Sequence, residues 1–246
     1  MDKKNHQTTL DILVFSAHPD DAELGCGGSI ARWVHEGYKV GVVDFTQGEL
    51  GTRGTPELRL KEATKAKEIL GISVRENLGL PDGFFENNPQ NQLKIIHIIR
   101  KYQPKLLVIN APEDRHPDHA RAAKLSMDAC FLSGLLKIQT FDENNNPQVP
   151  WRPSNFLHYI QDKFLTPNLV IDITNFMETK INSIKAYQSQ FYNPNSTEME
   201  TYISSKEFWE NIYSRSMELG RTIQKKYAEG FILTKPYPLQ NISELF

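Results

Sequence analysis

Cysteine is nearly absent from this chain: Cys26 and Cys130 are the only two, and they stand far apart in sequence. Two thiols cannot make a disulfide framework, so a reducing cytoplasm is the expected location. Long apolar runs are missing as well. None approaches the roughly 20 residues of a membrane helix, and the basic start Met1-Asp2-Lys3-Lys4 is not followed by the apolar stretch of a secretion signal, so no membrane association is expected. Charge of one sign is not in excess either. With 28 basic residues against 30 acidic ones, a general polyanion binder is excluded and nucleic acid is not an expected partner. Internal repeats and low-complexity segments are lacking, and Gly25, Gly27 and Gly28 do not make the G-x-G-x-x-G fingerprint of a dinucleotide fold.

What the chain does have is an alternation of short apolar runs with helical patterns. Residues 10–15, 40–45 and 106–110 are nearly continuous apolar runs of the kind that suit strands buried on both faces of a parallel sheet. Shorter strands are expected at 73–78, 156–161 and 169–173. Helical periodicity occupies 30–36, 92–102, 120–132, a stretch from Asn175 onward, and 208–227. Thr55 followed by Pro56 opens a further helix that Gly71 closes. The expected fold is therefore α/β: one Rossmann-like domain over 1–246, a mostly parallel doubly wound sheet with helices on both faces, and residues 1–9 as a flexible N-terminus. The polar, proline-bearing stretch 142–153 reads as an excursion within it.

Ligands of such sheets bind outside the carboxyl ends of the strands, at a switch point. Two histidine clusters fall there: Ser16-Ala17-His18-Pro19-Asp20-Asp21 after the first strand and His116-Pro117-Asp118-His119 after the strand at 106–110. Catalytic zinc takes three protein ligands and keeps one open position. His18 and Asp21, three residues apart on a loop stiffened by Pro19, can supply two ligands, and His119 the third. Asp20 points elsewhere and is placed to act as general base on a water at the open position. His116, as a protonated imidazole across the site, would stabilise an oxyanion or protonate a leaving amine. Asp118 is also a natural cap for the helix that follows. His6, His35, His97 and His158 lack such company, and Cys26 reads as a small buried thiol.

Around this edge lie candidate substrate contacts. Arg53, in the glycine-rich loop 47–55, suits a carboxylate or phosphate. Glu49 and Asp82 lie on neighbouring strand-end loops and can accept from sugar hydroxyls, Arg115 can meet an anionic group, and Tyr192 lies in a loop between helices. The same residue types also fit an iron(II) facial triad, to which Asp20 and His116 are superfluous, or a non-catalytic sugar- or nucleotide-binding module.

At Ala17-His18-Pro19-Asp20-Asp21 and His116-Pro117-Asp118-His119 the sequence resembles the LmbE-like, or PIG-L, family of zinc-dependent N-acetylglucosamine deacetylases. The resemblance implies one Zn2+ per chain, with Fe2+ or another divalent ion as a substitute, held by His18, Asp21 and His119. It also implies Asp20 as base and His116 as the charge-stabilising group. Within the family, Gly48-Glu49-Leu50-Gly51-Thr52-Arg53-Gly54, Leu80-Pro81-Asp82-Gly83 and Ser189-Gln190-Phe191-Tyr192 look like the bacillithiol biosynthesis deacetylases, which act on N-acetylglucosaminyl malate. Arg53 would then meet the malate. Other N-acetylglucosamine or thiol conjugates are the alternative substrates, and a homo-oligomer is the expected assembly.

Overall fold

The computed structural model describes residues 9–236, 238 and 241; most of the expected flexible N-terminus, residues 1–8, lies outside them. Seven strands form one sheet: β1 (Ile12–Ser16), β2 (Val40–Asp44), β3 (Val74–Asn77), β4 (Leu106–Ile109), β5 (Asn155–Tyr159), β6 (Leu169–Asp172) and β7 (Ala228–Leu233). Their order is β3-β2-β1-β4-β5-β7-β6. The first five run parallel, and β7 is antiparallel to both β5 and β6. The α/β, mostly parallel architecture expected from the sequence is the one observed.

Helices α1 (Asp21–His35), α2 (Pro56–Leu70), α3 (Pro89–Tyr102), α4 (Pro117–Ser133), α5 (Met177–Lys185) and α6 (Lys206–Thr222) complete the fold. Strand alternation divides the core between the two faces of the sheet. Leu13 and Phe15 of β1 pack with Ile95, Ile96, Ile99 and Leu125 from α3 and α4. Ile12 and Val14 pack with Ile30 and Trp33 of α1 and Leu70 of α2. Thr55 caps α2 as expected, its hydroxyl accepting from the Leu58 amide at 3.2 Å. The helix expected to reach residue 227 instead ends at Thr222, because Gln224 turns the chain with φ of 57° and residues 228–233 pair into the sheet as β7. No helix among the described residues is long and apolar enough to cross a membrane.

The strand order reverses between β1 and β4, so this is the switch point, and both histidine clusters leave the sheet there. The first of them runs into α1, which is broken at Cys26 (φ −146°, ψ 21°). The break has a packing cause: a Cβ on Gly25 would stand 2.2 Å from the Tyr159 ring, and one on Gly28 2.7 Å from Ile173. The backbone groups freed by the break find side chains. Glu229 of β7 accepts from the amides of Gly28 (3.0 Å) and Ser29 (2.7 Å), while Lys180 of α5 donates to the Leu24 carbonyl at 2.7 Å and pairs with Glu229. Both ionic side chains are about 3% exposed. Removing one partner strands the other charge in the interior, so Glu229→Ala or Lys180→Met is expected to lower unfolding stability by about 3–5 kcal/mol. Urea denaturation monitored by circular dichroism reads this directly; a loss below about 1 kcal/mol would be typical of an exposed pair instead.

Candidate metal and catalytic centre

The loop after β1 is held from β4: Asn110, at the end of that strand, accepts the Ala17 amide at 3.0 Å and donates to Asp21 Oδ2 at 3.2 Å. The Asp21 carboxylate is ringed by further donors. The His18 amide reaches Oδ2 at 2.9 Å and Gln161 Nε2 reaches Oδ1 at 2.7 Å. On the other side, His119 Nδ1 lies 2.7 Å from Asp114 Oδ2, which as a carboxylate can only accept, so the proton of this bond is on the ring. His119 Nε2 then faces Asp21 Oδ1 at 3.2 Å. A bare imidazole lone pair against a carboxylate oxygen is repulsive, and the contact asks for a proton or a cation between the two.

The donor set fits a metal on this ground. Two ligand atoms on a tetrahedral zinc are about 3.4 Å apart, given Zn–N and Zn–O distances near 2.1 Å. His18 Nδ1 to Asp21 Oδ2 measures 3.5 Å and Asp21 Oδ1 to His119 Nε2 measures 3.2 Å. The Asp114–His119 pair is the carboxylate–histidine arrangement that orients metal-ligating imidazoles. His18 Nε2 is turned toward Asp82 (3.0 Å) and Asp118 (3.3 Å). Among the described residues, two triads bring three donor atoms mutually within 4.8 Å, His18/His116/His119 and His18/Asp82/Asp118, and neither is the triad His18/Asp21/His119 that the resemblance implies.

Burial disfavours a charged imidazole at His18, but Asp118, Asp21 and Asp82 outweigh it and carry its pKa well above the usual value. The same balance lifts His119 to about 9, through Asp21 and Asp114. Asp21 is held well below the carboxylate range by His119 and His18 despite its burial, and Asp82 falls to about 2 against burial because His18 and the Leu50 amide stabilise its charge.

Asp20 is different. Burial raises its carboxyl to about 7, with Arg59 pulling the other way and Asp21 adding to the rise. Its backbone has φ of 116°, a region that a non-glycine residue adopts only under constraint.

The His116 ring stands 4.6 Å from that of His18, centroid to centroid. Its Nδ1 accepts the Asp118 amide at 3.2 Å as the N-cap of α4, and burial followed by the neighbouring His18 and His119 lowers its pKa. With Nδ1 accepting that amide, Nε2–H is the donor that the ring can offer to a ligand. Asp118 correspondingly is not the cap; its carboxylate accepts from the Gly83 amide at 2.8 Å and from Arg121, as well as facing His18.

A cleft of about 310 Å³ opens onto this cluster, and His18, Asp20, Asp21, His116 and His119 all line it. Of the sequence-derived substrate contacts, Arg53, Asp82 and Arg115 line it too. Arg53 donates to Glu198 at 3.1 Å and to Ser196 at 2.6 Å, and Arg115 pairs with Asp162 at 2.6 Å over the Tyr202 ring. Two others are not brought there. Glu49 spends both carboxylate oxygens on the amides of Asp82 (2.8 Å) and Gln47 (3.2 Å), joining two loops. Tyr192 lines a separate depression with Lys185, Pro194 and Trp209, although Gln190, two residues before it, lines the cleft. Sequence reasoning missed Arg59, Asn110, Asp114 and Gln161, which hold Asp20, Asp21 and His119.

The family model described as PIG-L, GlcNAc-PI de-N-acetylase, matches residues 13–130. Diacetylchitobiose deacetylase of Thermococcus kodakarensis is 29% identical over 233 residues, covering 89% of this chain and 81% of that protein. The uncharacterized deacetylase YaiS of Escherichia coli is 36% identical over 131 residues, 48% of this chain and 67% of that protein. Among solved structures, the conserved protein TT1542 of Thermus thermophilus superposes with a TM-score of 0.82 at 34% identity, covering 95% of this chain and 98% of that one.

Proposed function

Because the chain belongs to the PIG-L family, we propose that it is a metal-dependent N-deacetylase that hydrolyses the acetamide of an N-acetylglucosamine conjugate. The observation that carries this reading is the buried Asp20 carboxylate, raised to about 7, beside an Asp21–His119 contact that asks for a cation. A zinc ion held by His18, Asp21 and His119 would supply Lewis acidity and a water of lowered pKa. Asp20 removes a proton from the attacking water; a carboxyl poised near neutrality is suited to taking it and giving it back. His116 Nε2–H donates to the oxygen of the acetyl group as negative charge develops there. We assign the proton that the departing amine needs to Asp20, which has just received it. Water and the amide are thereby converted to acetic acid and the amine, which at neutral pH become acetate and the ammonium form.

For the conjugate we favour N-acetylglucosaminyl malate. Arg53 is 5% exposed and lines the cleft, and its present partner is the carboxylate of Glu198, which a substrate carboxylate can replace. Arg53→Ala is expected to raise KM for a carboxylate-bearing aglycone by about 10- to 100-fold, the worth of one or two charge-assisted hydrogen bonds. Neutral glycosides should be little affected; an equal change on both would remove this role. Acetate release across a panel of N-acetylglucosamine conjugates, with metal content measured on the same sample, tests the reading as a whole. No acetate from any of them would overturn it.

A further inference from the structure

Arg59 is a buried cation on α2, whose other buried positions are Glu62, Ala63, Ala66 and Leu70. On α2 it heads the buried stripe that continues through Ala63, Ala66 and Leu70, and it is itself only 5% exposed. Its Nη2 donates to Asp20 Oδ2 at 2.6 Å and to the Pro19 carbonyl at 3.0 Å, and Nη1 reaches the Gly48 carbonyl at 3.5 Å. A Cβ on Gly48 would stand 2.2 Å from Nη1, so the glycine-rich loop is pressed against this guanidinium. Asp20, although it occupies the N-cap position of α1, makes no side-chain bond to that helix. Among the described residues, the bond from Arg59 is the hydrogen bond its carboxylate receives.

We propose that Arg59 is a positioning residue for the reaction, fixing the Asp20 carboxylate toward the cleft and locking it to the loop that carries Arg53. The inference rests on the deacetylase reading, in which Asp20 is the base. Holding Oδ2 alone leaves Oδ1 to take the proton. A carboxylate on a strained backbone, with no bond to its own helix, otherwise has two torsions to wander through, and a misplacement of about 1 Å can cost 10²-fold in rate. The buried Nε of Arg59 has no partner, an arrangement poor for stability alone and tolerable where the fork serves a neighbour.

The test is a double-mutant cycle on the metal-loaded enzyme, reading acetate release from an N-acetylglucosamine conjugate with metal content and thermal melting alongside. Arg59→Gln is expected to lower kcat by about 10- to 100-fold with KM within about twofold, as the loss of an orienting partner does, and to keep its metal. In an Asp20→Asn background the same change should have no further effect on kcat, because Arg59 acts only through Asp20. Arg59→Lys, which keeps the charge but not the fork, should fall between wild type and Arg59→Gln, and it carries the cycle if the Gln variant does not fold. Wild-type kcat in Arg59→Gln, or an equal loss in both backgrounds, would overturn the proposal. Undiminished turnover in Asp20→Asn alone would instead refute the base assignment beneath it.

Discussion

Asp20→Asn is expected to bind metal as the wild type does and to lose acetate release by about 10²- to 10⁴-fold, the range spanned by positioned general bases. Asparagine keeps the size of the side chain and can still accept from Arg59, but it cannot take a proton at neutral pH. The wild-type enzyme should show the complementary signature in its pH profile. Burial lifts the Asp20 carboxyl to about 7, and only the ionised form is a base, so kcat should rise with pH along a single-proton limb. A cation beside Asp21 favours that ionised form, which sets the midpoint at or below about 7. In Asp20→Asn the limb should be gone from the residual rate. Kinetic measurement from pH 5 to 9 on both proteins checks the two statements together, and a persisting limb in the variant would assign it to another group.

Stripping the protein with a chelator is expected to abolish acetate release altogether, and one equivalent of zinc per chain should restore it. The reasoning is local. Asp21 and His119 meet at 3.2 Å, and a proton can stand in for a metal at that contact, so the emptied protein should stay folded while losing its chemistry. Circular dichroism should therefore change little on chelation, whereas activity falls below detection. Restoration that required oxygen, or activity that survived complete metal removal, would rule out the hydrolytic reading.

The sheet and the positions of both histidine clusters were legible in the sequence because they rest on local signals: apolar runs of strand length, Thr-Pro and Gly at helix ends, and motifs directly after strands. Strand β7 was not, since residues 228–233 follow a helical pattern without a strong break and are defined by the partners on either side. Residues such as Asn110, Asp114 and Gln161 carry no signal of their own. Each is a polar residue near a strand end, and only the folded chain shows which of them faces Asp21 or His119. Arg59 could have been found, as the one basic residue on a stripe of Ala63, Ala66 and Leu70, a place where charge is expensive and so needs a partner. The hydrogen bond at His116 Nδ1 was out of reach, because it depends on an amide two residues later pointing at it.

The interruption of α1 at Cys26 has an architectural corollary. The short segment bearing Asp21 and Glu23 is moored through its Leu24 carbonyl by Lys180 of α5, and Lys180 is paired in turn with Glu229 of β7, which takes the first amides of the long rod behind the break. Those anchors belong to the last third of the chain, well past the region 13–130 that the family signature spans. A fragment confined to the signature would carry all the motif residues and yet lack the fastening that aims them.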